Sequence, residues 1–164
     1  MIDIRVGQGF DVHRFGAGRP LVLCGVTLAG ETGLDGHSDA DVCLHAVADA
    51  IFGALARGDI GDHFPDSESR SRGDDSSIFV ARAVEMATEE GFSLVNCDLT
   101  IVGEKPRIAA HREELRESLA EILGAPRSVV SIKATTTEGL GFVGRIEGLA
   151  ALAVVLLAKG SRDE

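Results

Sequence analysis

Aromatic residues and positive charge are both scarce in this chain. Tryptophan and tyrosine are absent, and aromatic residues make up 4% of the sequence. The 16 lysines and arginines are outnumbered by 26 aspartates and glutamates, so the formal net charge is −10. A field of this sign repels phosphate backbones, and no segment combines aromatic with basic side chains in a way that would stack bases. We therefore expect no binding to nucleic acid or to anionic membrane surfaces.

Long apolar runs and paired cysteines are also missing. The longest apolar run, residues 149–158, is about half of the roughly 20 residues that a transmembrane helix needs. The first residues lack the basic and apolar regions of a secretory signal. Three widely spaced cysteines, Cys24, Cys43 and Cys97, stand among apolar residues, which predicts buried free thiols rather than disulfides. These absences favour a cytoplasmic protein with no membrane segment.

The residues that are present are typical of one compact domain. A length of 164 residues with 45% hydrophobic side chains is enough for a single core, so we expect one domain over 1–164. Apolar periodicity predicts helices within residues 38–58, 76–90 and 108–123. Runs of apolar and β-branched residues predict strands, with hairpins at both ends of the chain, at 2–10, 20–28, 94–102, 129–136 and 148–158.

Helices interleaved with strands predict an α+β fold. In this single-domain α/β sandwich, the helices cover one face of a mixed β-sheet. The helices can shield only that face, yet the strands contain long apolar runs. We therefore expect the other face or the edges of the sheet to be buried against further copies of the chain.

The first predicted helix carries two aspartates and a histidine on one face. Ser38 stands three positions before Asp41, in a capping-box-like start. Asp41, His45 and Asp49 follow at four-residue intervals and so share a face. The two aspartates either orient His45 or belong to a solvated helix face. After this helix, residues 58–77 are polar and form a long surface loop, which is either functional or merely solvated.

A candidate metal site begins at the end of the first predicted strand. Asp11 and His13 are two residues apart, so in an extended strand their side chains project from the same face. Together with His45 they would supply one carboxylate and two imidazoles, which leaves one position of a tetrahedral zinc ion open for substrate. Taken alone, such a pair is more often an aspartate in a turn and a polar histidine that bind no metal.

Four segments need a joint explanation: GFDVHRF, GHSDADVCLHA, GDIGDHFPDSE and KATTTEGLGFVGR. In order, spacing and total length they resemble the 2-C-methyl-D-erythritol 2,4-cyclodiphosphate synthase family, over about residues 6–159. The resemblance implies a homotrimer with a Bacillus chorismate mutase-like fold and active sites at the subunit interfaces. It also implies a lyase of the non-mevalonate isoprenoid pathway, which acts on a small cytidine diphosphate-linked substrate.

The implied reaction is an intramolecular phosphoryl transfer. The 2-phosphate of 4-diphosphocytidyl-2-C-methyl-D-erythritol 2-phosphate attacks the β-phosphorus, which expels CMP and closes the cyclic diphosphate. A phosphate is already a nucleophile at neutral pH, so catalysis needs positioning and charge stabilisation rather than a general base. The resemblance assigns zinc to Asp11, His13 and His45, and a second ion, Mg²⁺ or Mn²⁺, to Glu138.

The resemblance also implies a set of catalytic and substrate-binding residues. His37 and Thr136 would act in catalysis, His37 at the phosphates and Thr136 as the transition-state partner. The implied substrate-binding residues are Ser38, Asp59, Ile60, Gly61, Phe64, Pro65, Asp66, Ser67, Glu68, Gly103, Glu104, Lys105, Pro106, Arg107, Ile108, Ala109, Thr135, Thr137, Phe142 and Arg145. Within this set, Asp59 would bind hydroxyl groups of the methylerythritol, and residues 103–109 would bind the cytidine.

Three points qualify these roles. Glu104 and Arg107 stand where the family pattern has Gln and Lys; Arg107 keeps the positive charge, whereas Glu104 replaces an amide with a carboxylate. Ser38 could instead be a simple N-cap, and the threonines before Glu138 could reflect ordinary β propensity. Phe142 and Arg145 would line the threefold axis, where an isoprenoid diphosphate or another anion would offset the repulsion between symmetry-related arginines.

Two other functions fit part of the pattern. A small metallohydrolase would keep the zinc and use it to activate water, although no H-E-x-x-H or comparable signature occurs. A non-catalytic trimeric binding protein would keep the zinc as a structural ion, whose removal would unfold the chain.

Overall fold

The computed structural model describes residues 3–36, 38–64 and 75–159. Its sheet has five strands in the order β2-β1-β5-β3-β4. The strands are β1 (Asp3–Leu23), β2 (Val26–Leu34), β3 (Ser93–Val102), β4 (Val130–Thr135) and β5 (Gly148–Lys159). Only β3 and β4 pair in parallel, whereas β5 runs antiparallel to both β1 and β3. The sheet is therefore mixed, as the sequence predicts.

Five α-helices accompany the sheet in the described part of the chain. They are α1 (Val42–Ala54), α2 (Ile60–His63), α3 (Ser77–Glu89), α4 (Arg112–Ile122) and α5 (Gly141–Gly144). Short 3₁₀ turns at Ile108–Ala110 and Arg127–Val129 precede α4 and β4. None of these helices is both long and apolar enough to span a membrane. The result is a single-domain α+β fold.

The core lies between the long helices and one face of the sheet. Leu44 and Phe52 of α1 are fully inaccessible, as are Leu119 of α4 and Leu99 of β3. Each such side chain contributes about 1.5–3 kcal/mol through burial of apolar surface. Cys24, Cys43 and Cys97 are also buried, as free thiols, in agreement with the sequence prediction.

The backbone of β1 lies directly against α1. A Cβ atom on Gly7 would come closer than 3.0 Å to the carbonyl oxygen of Ala50, and one on Gly9 would meet that of Ala46 in the same way. From Arg5 to Phe15, odd-numbered residues of β1 face the helices, whereas even-numbered residues such as Val6 and Phe10 are exposed on the opposite face. Asp11 and His13 belong to the helix-facing set.

The expected hairpin between residues 2–10 and 20–28 is wrong. Both segments begin in a single strand, β1, which pairs first with β5 and then, beyond Arg14, with β2. The chain reverses inside the second predicted strand, because Cys24 and Gly25 adopt positive φ angles of 51° and 76°. The apolar residues on both sides of this turn had suggested one continuous strand.

The expected hairpin at the C-terminal end is also wrong. Strand β4 pairs in parallel with β3 at the sheet edge, and β5 lies between β1 and β3. The most apolar strand thereby takes the position with a neighbour on each side, where its backbone and side chains are most protected. The predicted positions of β3, β4, β5 and α3 agree with the structure to within two residues.

The first helix is shorter than predicted. It begins after Asp41, whose side chain accepts hydrogen bonds from the backbone N–H groups of Cys43 and Leu44. Ser38 is therefore not its N-cap, and the positive φ angles of Ser38 and Ala40 keep that segment out of the helix. Within the predicted loop 58–77, the structure instead contains the single turn of α2, and residues 65–74 lie outside the described part.

Candidate active site

Three side chains from β1 and α1 converge on one point. The Oδ2 atom of Asp11 lies 3.0 Å from Nε2 of His13 and 3.0 Å from Nδ1 of His45. The two imidazole nitrogens are 3.1 Å apart. Atoms this close can share a single cation, and one carboxylate with two imidazoles suits a divalent metal ion that keeps a coordination position open.

Strand geometry and helix packing explain this convergence. Asp11 and His13 share the helix-facing side of β1 because successive strand residues alternate between faces. His45 lies in the first turn of α1, next to Ala46, whose carbonyl packs against Gly9. The bare backbone at Gly9 therefore lets α1 approach closely enough for His45 to reach Asp11.

The ring of His13 is oriented through its outer nitrogen, Nδ1, which is the ring nitrogen that points away from the triad. Its Nδ1 atom lies 2.8 Å from the backbone carbonyl of Asp35. A carbonyl can only accept, so Nδ1 carries the proton and Nε2 of the neutral ring presents a lone pair to the common point.

The electrostatics of the triad favour a positive charge at its centre. Burial alone would raise the pKa of Asp11, but hydrogen bonds and charge from His13 and His45 outweigh it and hold that pKa well below its usual range. Burial would lower the pKa of His13, yet the neighbouring Asp11 carboxylate raises it. Protons therefore bind readily here without a metal, and a metal ion would displace them.

Asp41 and Asp49 do not orient the ring of His45. The carboxylate of Asp41 caps α1 and also accepts from Gly25 N, and that of Asp49 accepts from Ile60 N at 2.9 Å. Burial raises the pKa of Asp41 to about 6, although the N–H groups of Gly25 and Leu44 oppose this shift.

The partner of the outer nitrogen of His45 is Ser76. Its hydroxyl oxygen lies 2.9 Å from Nε2 of His45 and also hydrogen-bonds the carboxylate of Asp39. Neither Ser76 nor Asp39 was singled out by the sequence analysis. The available signals were weak: Ser76 lies at the predicted start of the second helix, and Asp39 lies within GHSDADVCLHA.

Ser38 lies beside this cluster, and Arg19 holds the segment around it. The Ser38 hydroxyl is 2.9 Å from that of Ser76 and 3.5 Å from Nε2 of His45. The Arg19 guanidinium donates to the backbone carbonyls of Gly36 and Ser38, on both sides of position 37. His37 itself lies outside the described residues.

The α2 turn connects to the metal triad through aromatic rings. Asp59 is its N-cap and accepts from Asp62 N at 3.3 Å. The ring of Phe64 meets that of Phe79 edge-on at 4.9 Å, and Phe79 meets His45 in the same manner at 5.3 Å. The other residues expected in this segment, Pro65, Asp66, Ser67 and Glu68, lie outside the described part.

The implied cytidine and phosphate segments contact each other. The Oε1 atom of Glu104 accepts hydrogen bonds from the backbone N–H groups of Thr137 (3.1 Å) and Gly139 (3.2 Å). The Thr136 hydroxyl donates to Glu138 at 3.1 Å, and Glu138 has a positive φ of 53°. Both segments follow the carboxyl ends of the parallel pair β3 and β4, and Gly103 N donates to the carbonyl of Thr135.

Among the described residues of one chain, no hydrogen bond or ion pair joins these segments to the metal triad. The register of the sheet places four residues side by side on neighbouring strands: Val12 of β1, Ala150 of β5, Val102 of β3 and Thr135 of β4. At about 4.8 Å per strand, Thr135 is roughly 14 Å from the ligand-bearing part of β1. Both groups therefore occupy the same end of the sheet but remain separate.

Phe142 lies in α5 and Arg145 ends that helix, a few residues after Glu138. Phe142 is 39% exposed. The Arg145 guanidinium contacts the carboxylate of Glu147 at 2.6 Å and lowers the pKa of that carboxyl. Within one chain the charge of Arg145 is thereby partly offset.

Known proteins resemble the chain along most of its length. The YgbB family model matches residues 4–158. The 2-C-methyl-D-erythritol 2,4-cyclodiphosphate synthase of Geobacillus kaustophilus is 57% identical over 155 residues, which cover 94% of this chain and 98% of the relative. The IspF structure from Plasmodium falciparum in complex with CDP superposes with a TM-score of 0.84 at 30% identity, covering 96% of this chain and 97% of that one. The bifunctional IspDF from Campylobacter jejuni gives a TM-score of 0.92 at 39% identity, covering 98% of this chain and 43% of that one.

Proposed function

Because the chain belongs to the YgbB family, whose curated relatives are 2-C-methyl-D-erythritol 2,4-cyclodiphosphate synthases, we propose that it is such a synthase. It would act as a cytoplasmic phosphorus-oxygen lyase with one catalytic domain over 1–164. Its substrate would be 4-diphosphocytidyl-2-C-methyl-D-erythritol 2-phosphate, and its products the 2,4-cyclodiphosphate and CMP. The observation that carries the proposal is the convergence of Asp11, His13 and His45 in a chain with this family membership.

We assign zinc to the Asp11, His13 and His45 triad. The set of one carboxylate and two neutral imidazoles is typical of catalytic zinc, and the bound ion would polarise an oxygen of the β-phosphate. The carboxylate of Glu138 is a hard oxygen donor and suits the second ion, Mg²⁺ or Mn²⁺. The positive φ of Glu138 and the hydrogen bond from Thr136 support a fixed orientation for this carboxylate.

The residues of the chain would position the substrate and stabilise the charge of the transferring group. Ser38 and His37 would contact the phosphates near the triad, and Asp59 would accept hydrogen bonds from hydroxyl groups. Thr136 would donate to the transferring phosphate, with Thr135 and Thr137 beside it. Because the attacking phosphate needs no general base, folding the substrate into the reactive geometry is the main requirement.

The separation of the two groups of residues supports an assembly with shared active sites. A substrate that contacts the triad and also residues 103–109 of one chain would have to cross β5, which lies between β1 and β3. A neighbouring copy can instead bring its own cytidine segment to the triad. We therefore propose a homotrimer with a Bacillus chorismate mutase-like fold, with each active site at a subunit interface and an anion on the threefold axis near Phe142.

The direct test mixes the purified protein with Zn²⁺, Mg²⁺ and the cytidine-linked 2-phosphate substrate. We expect CMP and the cyclic diphosphate in equal amounts, measured by ³¹P NMR and chromatography. CMP together with an uncyclised product would contradict cyclisation and indicate the metallohydrolase. Unfolding of the chain when a chelator removes zinc would instead indicate a structural ion.

The variant His45→Ala tests the role of the metal. Loss of one of three ligands removes several kcal/mol of charge stabilisation, so we expect turnover to fall by about a thousandfold or more. His111→Ala, at the start of α4, is the matched control and should retain activity. Turnover of His45→Ala at the level of this control would remove zinc from the mechanism.

A further inference from the structure

A buried polar cluster surrounds the outer nitrogen of His45. Ser76 is fully buried and Ser38 is 2% exposed. The Ser76 hydroxyl oxygen contacts three groups: Nε2 of His45 at 2.9 Å, the Ser38 hydroxyl at 2.9 Å, and the Oδ1 atom of Asp39. The backbone N–H of Ser76 donates to the other carboxylate oxygen of Asp39, at 3.2 Å.

The number of protons available settles the direction of these hydrogen bonds. An ionised carboxylate only accepts, so the single hydroxyl proton of Ser76 must point to Asp39. The oxygen of Ser76 can then only accept from its two other neighbours. Ser38 therefore donates its hydroxyl proton, and His45 donates the proton on Nε2.

If the ring proton of His45 were on Nδ1 instead, the contact between Ser76 and Asp39 would have no proton. If Nδ1 of His45 carried the ring proton, Ser76 would have to donate to Nε2. The Ser76 oxygen and the Asp39 carboxylate would then face each other with no hydrogen between them, which is costly at a buried position. The cluster thus favours a proton on Nε2 of His45, and a metal ion would then take the place of a proton between Nδ1 of His45, Asp11 and His13.

We propose that Ser76, held by Asp39, is a positioning residue that sets the proton of His45 on Nε2 and thereby keeps Nδ1 ready for the metal ion. The proposal deepens the proposed function, since it concerns the same metal site. Groups that hold the outer nitrogen of a ligating histidine fix its ring and its basicity, and their loss typically costs about 10- to 100-fold in metal affinity. His13 receives the equivalent support from the Asp35 carbonyl.

The test is a zinc titration of Ser76→Ala, which needs no substrate. We expect the zinc affinity of the metal-stripped full chain, measured by competition with a chromophoric chelator, to fall by about 10- to 100-fold. Ser76→Thr retains a hydroxyl group and should restore most of the affinity. Ser77→Ala, one residue later in α3, is the control and should bind zinc like the wild type.

A purely structural role of Ser76 predicts a different result. It would lower the melting temperature of the metal-free protein and leave the zinc affinity within about twofold of the wild type. That outcome would overturn the proposal. Because no turnover is measured, failure of the proposed reaction in the wild type would be recognised separately from failure of this inference.

A double-variant comparison tests the link through Asp39 and also serves if Ser76→Ala does not fold. In Asp39→Asn, an amide N–H₂ replaces one accepting oxygen, so Ser76 can turn its proton to Nε2 of His45 and zinc affinity should fall. If both residues act through the same hydrogen bond, the double variant should bind zinc about as weakly as Ser76→Ala. If the two substitutions lower zinc affinity independently, their fold-changes multiply in the double variant, and this result would contradict the link through Asp39. Where Ser76→Ala does not fold, wild-type zinc affinity in Asp39→Asn would contradict it equally.

Discussion

Asp41 is a carboxylate with no exposed surface, placed at the start of α1. Its two oxygens accept from the backbone N–H groups of Gly25, Cys43 and Leu44, so it joins the turn after β1 to the helix that carries His45. These hydrogen bonds stabilise the charged form, whereas burial destabilises it and raises the pKa to about 6. At neutral pH the ionised Asp41 carboxylate therefore costs the folded chain more free energy than its protonated form does at acidic pH.

The raised pKa predicts how stability depends on pH. The folded chain holds the Asp41 proton more tightly than the unfolded chain, so the stability that this group contributes falls as pH rises from about 4 through 6. Between pH 4.5 and 7.5 the free energy of unfolding of the wild type should fall by about 2 kcal/mol relative to that of Asp41→Asn. Urea titrations at both values measure this difference.

The exposed Asp62→Asn is the control for that experiment. Its free energy of unfolding should follow the wild type at both pH values, because the carboxylate of Asp62 lies at the surface. A constant difference between the wild type and Asp41→Asn across the range would show that the Asp41 carboxyl has no raised pKa.

At the residue scale, local rules in the sequence predicted part of the site. Asp11 and His13 could be paired from their spacing alone, since strand residues two apart share a face. Ser76 could not be connected to His45 in this way, because the two come together only when α3 packs beside α1. The distinction is physical: short-range geometry can be read from spacing, but a hydrogen bond between distant segments depends on tertiary packing.

Elements that follow one another in the sequence need not be neighbours in the sheet. The positions of α3, β3, β4 and β5 followed from periodicity and from glycines such as Gly91 and Gly124, both of which have positive φ angles. The pairing of β5 with β1 and β3 was missed, because strand order depends on which apolar faces are buried together. Apolar periodicity indicates which face of a helix or strand is buried, but it does not indicate which other element packs or pairs with it.

The hydrogen bonds of Glu104 join two loops of the candidate site and give a prediction at this scale. All three contacts, from Thr137 N, Thr137 Oγ1 and Gly139 N, fall on one oxygen. Glu104→Gln retains a carbonyl oxygen and should change KM by no more than about twofold. Glu104→Ala should raise KM for the cytidine-linked substrate by about tenfold, because it removes the accepting oxygen altogether and each lost hydrogen bond costs about 0.5–1.5 kcal/mol.

Steady-state kinetics of the two Glu104 variants provide the measurement. Glu104→Gln is the matched control, since it removes the charge and keeps the acceptor. Equal KM values for the alanine and glutamine variants would mean that this oxygen does not hold the segment that contains Glu138.

The outer face of the sheet carries exposed apolar residues on β1 and β5. Val6 is 65% exposed and Phe10 is 52% exposed, and Val154 of the adjacent β5 lies on the same face. Faces of this kind are normally buried in assemblies. The sequence predicted that the helices would leave one face of the sheet uncovered, and the structure has exposed apolar residues on that face.

The variant Phe10→Asp tests the assembly of the whole molecule. A charge in an apolar interface is strongly unfavourable, so we expect a species near the single-chain mass of 17.2 kDa, with turnover largely lost. The wild type should have about three times that mass by analytical ultracentrifugation. Thr88→Asp, exposed on α3, is the control and should assemble normally. A fully active monomer of Phe10→Asp would contradict shared active sites.

The two glycines of β1 that touch α1 link the interior of the molecule to its chemistry. A methyl group at position 7 or 9 would press on a helix carbonyl and move α1 outward, and His45 would move with it. The distance between the strand-borne and helix-borne ligands is thus set by core contacts before any ion arrives. Tight packing of the interior and a preformed coordination cage therefore depend on the same two positions.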